Sequence, residues 1–234
     1  MSKRPVCLIT GASRGIGAAT AKRFAADGYD LHLSARSESQ LVALADELRQ
    51  QFDVVANSFT VDLSKVGGAT NVVADCVQQF GFIDVLVNNA GVAPNCELET
   101  FSDVDIAATL AVNVAAVIES TKAVIPHMKQ RNGGVIVNVS SLAAVDPFPG
   151  FSVYGGTKAF VETFTKAISA EGKPHGIRTF CVRPGAVDTP LLQSLFPDFP
   201  AEQRLAPEDV AALIFSLCSD ELKYSSGEAV TIQR

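Results

Sequence analysis

Thr10-Gly11-Ala12-Ser13-Arg14-Gly15-Ile16-Gly17 is the stretch that decides the fold. It follows directly on Val6–Thr10, an apolar run of strand length, and it opens a helical pattern at about 15–27. Glycines here let the backbone turn tightly and approach a pyrophosphate. The helix N-terminus behind them adds free N–H groups and the positive end of its dipole. The spacing is G-x3-G-x-G, not the general G-x-G-x-x-G fingerprint. A glycine turn alone has a purely structural reading; strand before and helix after make this one a candidate phosphate cradle.

Outward from the turn, short apolar runs alternate with segments of helical period. Strands are expected at Val6–Thr10, Asp30–Ala35, Val54–Val61, Val85–Asn88, Val135–Val139, Arg178–Arg183 and Ala229–Ile232. Helices are expected at about 15–27, 38–51, 64–80, 102–131, 153–171 and 207–219. Continuous apolar strands separated by helices indicate a parallel sheet covered on both faces. Right-handed crossovers then give an α/β, doubly wound, Rossmann-type fold of about seven strands. The Pro/Phe-rich stretch Asp188–Pro207 is irregular and too short for a domain, so the chain reads as one domain over residues 1–234.

Composition narrows the partners. With 47% hydrophobic residues the chain is globular, and a net charge of −6 disfavours nucleic acid or an anionic membrane surface. Ser2, Lys3 and Arg4 run straight into the first strand without a leader, and no stretch reads as the roughly 20 apolar residues that span a bilayer. The five cysteines are scattered with no CxxC or Cys/His cluster, so no metal site is expected and a reducing, cytoplasmic setting is the simpler one. His32, His127 and His175 stand alone and read as packing or surface residues.

The chain resembles the short-chain dehydrogenase/reductase family in an ordered series of motifs over about residues 5–232. Thr10-Gly11-x3-Gly15-x-Gly17 is followed by Asp62-Leu63 after the third strand and Asn88-Asn89-Ala90-Gly91 after the fourth. Asn113, Ser141, Tyr154-x3-Lys158 and Pro184-Gly185-Ala186-Val187-Asp188-Thr189 complete it. The resemblance implies a nicotinamide cofactor held by Gly11, Ser13, Arg14, Gly15, Ile16 and Gly17, with Asp62 and Leu63 against the adenine. Asn88, Ala90 and Gly91 would lie along the cofactor, Asn88 also reading as a strand-end cap. The Val187 backbone and Thr189 hydroxyl, in the loop from Pro184 and Gly185, would meet the carboxamide. It also implies a homodimer or homotetramer joined through the helices near 102–131 and 153–171.

A ribose 2′-hydroxyl is normally bound by an acid near the end of the second strand, a 2′-phosphate by arginine. The family position falls eighteen residues after the last glycine, on Ala35, and Arg36 follows it. With Arg14 in the turn, two guanidinium forks can share one phosphate, so NADP(H) is the expected cofactor.

Tyr154 and Lys158 are four apart on one face of a helical segment. An ammonium about 4 Å from a phenol, at an effective dielectric near 20, favours phenolate by up to about 4 kcal/mol, nearly three pKa units. A lone Y-x3-K is usually ordinary helix surface; Ser141, thirteen residues upstream, singles this one out, with Ser140 as its alternative. The resemblance implies hydride transfer between the cofactor and a small carbonyl or secondary-alcohol substrate. Tyr154 would exchange the proton, Ser141 hold the substrate oxygen, Lys158 hold the ribose, and Asn113 support a water linked to the lysine. Asn113 also reads as a polar residue bonding backbone inside a helix. Two rivals are a sugar-nucleotide epimerase, which has a different glycine spacing, and a catalytically idle nucleotide sensor, which would have lost Ser141, Tyr154 or Lys158. The apolar residues of Leu142–Val153 and Leu191–Phe199 read equally as substrate wall, lid or subunit contact.

Overall fold

The computed structural model describes residues 4–234. Seven strands, β1 (Val6–Thr10), β2 (Asp30–Ala35), β3 (Ala56–Thr60), β4 (Val85–Asn88), β5 (Gly134–Val139), β6 (Ile177–Pro184) and β7 (Ala229–Ile232), form one parallel sheet. Their order is β3-β2-β1-β4-β5-β6-β7. The order reverses between β1 and β4, and at such a switch point the strand ends splay to leave a crevice.

Alternate side chains of each central strand feed two cores. Ile9, Val87, Val137 and Val182 face α1 (Gly15–Ala26), α2 (Glu38–Gln51) and α8 (Pro207–Cys218) through Phe24, Leu41 and Ile214. Leu8, Leu86 and Ile136 face α3 (Gly68–Phe80) and α5 (Ala116–Gln130) through Val72, Val124 and Met128. Burial on both faces is why the strands read as unbroken apolar runs. His32, one of the isolated histidines, is buried in β2 with Nε2 2.8 Å from Asp75 Oδ2.

Four features depart from the sequence expectation. The third strand is shorter, and α3 starts at Gly68, behind a left-handed Gly67, rather than near 64. The expected helix 102–131 divides into α4 (Asp103–Leu110) and α5, joined by a wide turn over Ala111–Ala115. Such a turn adds a residue to the helix and often marks a functional position; here it carries Asn113. A short helix, α7 (Pro190–Leu195), stands in the stretch expected to be irregular. Its start signal is ordinary: the Thr189 hydroxyl caps the Leu192 N–H at 3.3 Å, and Pro190 takes the first helical position.

The helical run Asp103–Gln130, 28 residues that include an 18-residue stretch of mean hydropathy 1.4, is long and apolar enough to cross a bilayer, contrary to the sequence expectation. In the fold it lies against α3, β4, β5 and α6 (Ser152–Gly172), and a third of the apolar stretch is buried there.

Candidate active site

The carboxyl ends of the central strands open on one cavity of about 720 Å³. Its floor at β1 is the glycine turn. A Cβ on Gly17 would lie 2.2 Å from the Gly11 carbonyl oxygen, and one on Gly11, at φ +65°, 2.8 Å from Ala90 Cα. Neither position admits a side chain, so bare backbone faces the cavity where a pyrophosphate would have to approach. The residues present therefore fit a dinucleotide.

Two residues that hold this cradle, Thr10 and Asn89, stand in the motifs but carry no role in the sequence reading. The Thr10 hydroxyl accepts from the N–H groups of Asn89 (3.1 Å) and Ala90 (3.2 Å). The Asn89 amide returns two bonds of 3.0 Å to the carbonyls of Thr10 and Gly11. Asn89 lines the cavity and Asn88 does not. Asn88 is turned into the core, where it accepts from Ser120 Oγ at 2.8 Å and donates to Asn138 Oδ1 at 2.9 Å. Strand alternation turns the neighbours opposite ways, and the Asn88 side chain neither lines the cavity nor caps the strand end but ties β4 to α5 and β5.

Arg14, Ala35, Arg36, Asp62 and Leu63 line the cavity toward β2, with Ser13, Gly15 and Ile16 beside them. The Asp62 carboxylate is held below its usual pKa chiefly by the Ser64 N–H, 3.0 Å away. Ala90, Gly91, Pro184, Gly185, Val187 and Thr189 line the middle, while Gly17 stays behind the cradle. The Thr189 hydroxyl, expected to reach a carboxamide, is engaged with the Val187 carbonyl (3.2 Å) as well as its helix cap.

At the far side the ends of β5 and α6 bring the reacting candidates together. Ser141 Oγ accepts from the Ala143 N–H at 3.2 Å and hydrogen-bonds Tyr154. Ser140 is committed elsewhere, to Glu162 Oε1 (2.9 Å) and the Lys158 carbonyl (3.2 Å), which favours Ser141 of the two. Lys158 is 5% exposed; Nζ donates to the Val139 carbonyl at 2.8 Å and stands 5.8 Å from the centre of the Tyr154 ring. Burial lowers the lysine to about 8. Burial also raises the Tyr154 phenol, with the Ser141 bond pulling the other way. The expected lowering of the phenol by the ammonium does not appear: burial raises it and only the Ser141 hydroxyl opposes, while the ammonium donates to the Val139 carbonyl.

Asn113 is fully buried and off the cavity wall. Its amide brackets Val92, accepting from N–H at 2.9 Å and donating to the carbonyl at 2.8 Å, and donates to Thr157 Oγ1 at 3.1 Å. It ties the loop after β4 to α6; a Cβ on Gly91 would sit 3.3 Å from Lys158 Nζ and 3.5 Å from Asn113 Oδ1. The backbone-bonding reading describes its contacts, and the lysine is nearby.

Residues 5–199 match the family model described as short chain dehydrogenase. The chain belongs to the short-chain dehydrogenase family. It is 36% identical over 237 residues to a 3-oxoacyl-(acyl-carrier-protein) reductase of Thermotoga maritima, covering 97% of this chain and 95% of that one. Dehydrogenase/reductase SDR family member 4 of Homo sapiens is 35% identical over 240 residues, covering 97% and 85%. Among solved structures, L-sorbose reductase of Gluconobacter frateurii, in complex with NADPH and L-sorbose, superposes with a TM-score of 0.91 at 30% identity, covering 99% and 97%. In this short-chain dehydrogenase the cavity is closed outward by α7 and by the loop between β5 and α6, whose aromatic side chains meet beside Tyr154.

Proposed function

We propose that the chain is an NADPH-dependent oxidoreductase that reduces a carbonyl group. One observation carries this: a single cavity joins two arginines, with no acid at Ala35, to Ser141, Tyr154 and Lys158. NADPH, when bound, supplies the hydride for the carbonyl carbon. The glycine turn offers backbone to the pyrophosphate, and Arg14 and Arg36 offer guanidinium forks to a 2′-phosphate. Ser141 and the Tyr154 hydroxyl converge on the place a substrate oxygen would take. The raised phenol keeps its proton at neutral pH, which suits donation to a developing alkoxide. Lys158 steadies the negative charge formed on the tyrosine, and Asn113 positions the floor beneath the lysine. A 3-oxoacyl reductase and L-sorbose reductase among the relatives support a carbonyl as the reacting group.

The outward faces of α4, α5 and α6 leave Leu110, Ile118 and Phe160 exposed, 36–45% each, which supports assembly of copies through these helices. A partner copy also accounts for the apolar surface of Asp103–Gln130 without a bilayer.

The test is loss of 340 nm absorbance when NADPH and a panel of aldehydes and ketones meet the purified protein. Turnover with at least one carbonyl is expected. Tight NADPH binding with silence across the panel would leave a nucleotide-binding protein without catalysis.

A further inference from the structure

Among the described residues, no charged side chain beyond Lys158 lines the part of the cavity that Tyr154 faces; the other charged lining residues, Arg14, Arg36 and Asp62, lie toward β2. An aromatic cluster takes their place. The rings of Phe151 and Phe196 stack at 5.9 Å with 23° between planes. Phe148 closes on both, at 4.6 Å and 5.7 Å. Phe151 meets the Tyr154 ring edge-on at 5.5 Å, so the cluster continues into the reacting phenol. Ala93 and Ala143 pack on it and keep the adjoining wall shallow.

The arrangement is built rather than collapsed. The Phe148–Phe151 loop is tied to the segment after β4 by the Cys96 N–H, which donates to the Gly150 carbonyl at 3.0 Å. Phe148 nevertheless stays 48% exposed, so about half of this large aromatic side chain remains open. Phe148 and the half-buried Phe196 offer ring surface to a further ring, with the buried Phe151 behind them, and aromatic groups favour offset or edge-to-face packing beyond their burial alone. A carboxylate or phosphate in the same place would lose water and gain no partner. A polyol would leave its hydroxyls unmatched against phenyl carbon.

We infer that the substrate is an uncharged ketone or aldehyde carrying an aryl group, with its carbonyl oxygen at Ser141 and Tyr154 and its ring against Phe148 and Phe196, which Phe151 backs. This rests on the carbonyl-reductase reading above. The chemistry is the same two-electron reduction: a hydride from NADPH forms the new C–H bond and leaves NADP+, the carbonyl π pair moves onto the oxygen, and that oxygen takes the Tyr154 proton, the C–O σ bond being kept throughout.

The experiment compares three ketones that share a CH3CO–CH2CH2– unit and end in phenyl, cyclohexyl or 4-carboxyphenyl, so that intrinsic carbonyl reactivity is equal. A ketohexose is the fourth probe. The expected kcat/KM for phenyl exceeds cyclohexyl by about fivefold and 4-carboxyphenyl or the ketohexose by at least about a hundredfold. Phe148→Ala and Phe196→Ala should each bring the phenyl-to-cyclohexyl ratio toward one; Phe148 is surface-exposed, so that variant is not expected to unfold the chain. Equal turnover of the three ketones, preference for the carboxylate or ketohexose, or a ratio unmoved in both variants overturns the inference while the reductase reading stands. No turnover of any probe, nor of any member of the wider carbonyl panel, removes both.

Discussion

The two ends of the cavity are made of different material. Toward β1 and β2 the wall is backbone: Gly11 and Gly17 have no room for a Cβ, and the surrounding bonds run through Thr10 and Asn89 to main-chain groups. Toward β5 and β6 it is side chain, with Tyr154, Ser141 and the phenylalanine cluster around them. A backbone wall is intolerant of change and its ligand is set by spacing, whereas a side-chain wall can be rebuilt one residue at a time. The first should therefore determine whether the protein works with nucleotide at all, and the second what it works on.

The largest effect is expected where the two ends meet. Tyr154→Phe removes the one hydroxyl able to hand over a proton and keeps the ring that packs on Phe151. kcat should fall by about a hundredfold or more, with NADPH affinity, read by fluorescence titration, unchanged. A variant keeping a tenth of the rate would reassign the proton donor. At the backbone end, Gly17→Ala places a methyl 2.2 Å from the Gly11 oxygen, which the turn cannot yield without losing its shape. Loss of NADPH binding by more than about tenfold, with a lower melting temperature, is expected; wild-type affinity would show that the turn is not the cradle.

Arg36→Ala tests the same end by charge. The side chain lines the cavity after β2, where its charge adds a small part to the lowering of the Asp62 carboxyl. Losing one charge-assisted contact to a phosphate should lower the preference for NADPH over NADH by about tenfold. An unchanged ratio would leave Arg36 as a solvated surface residue. The difference between the ends also explains what could be read from residues alone. The glycine spacing, Ala35-Arg36 and Tyr154-x3-Lys158 are local patterns, and each came out at the cavity. Asn88 and Asn89 are adjacent and identical in type, so only the strand register tells which faces the nucleotide. The reversed direction of the Tyr154 shift was equally hidden. It depends on how much water two buried groups lose, and on a Val139 carbonyl that takes up the ammonium.

That electrostatic arrangement predicts a pH profile. Burial brings Lys158 down to about 8 and carries Tyr154 above its ordinary value, so rising pH discharges the lysine before the phenol. The profile of kcat/KM reports the free protein. For carbonyl reduction it should be level below the lysine's value and fall above about 8, as the charge that steadies the tyrosinate is lost. A profile level to pH 9.5 would place the lysine's titration elsewhere.

The smallest effect belongs to the loop that carries α7. Arg204 joins its two ends, pairing with Asp188 at 3.2 Å and donating through Nε to the Phe199 carbonyl at 3.0 Å, with a second bond from Nη2 to the same oxygen. The stretch between holds Leu195 and Phe196, which pack against Tyr154 and Phe151. Arg204 lies outside the cavity lining, so its removal loosens the aromatic wall without touching substrate. The lost carbonyl bonds are worth about 1–2 kcal/mol of local order. Only part of that reaches the substrate, because the loop keeps its apolar packing. Arg204→Ala should raise KM for the phenyl ketone by about threefold at unchanged kcat, with faster amide exchange confined to residues 188–204. The same rise for a two-carbon aldehyde, too small to reach Phe196, would mean that the loop acts on the reacting centre itself. The backbone end and the side-chain end would then be less separate than their construction implies.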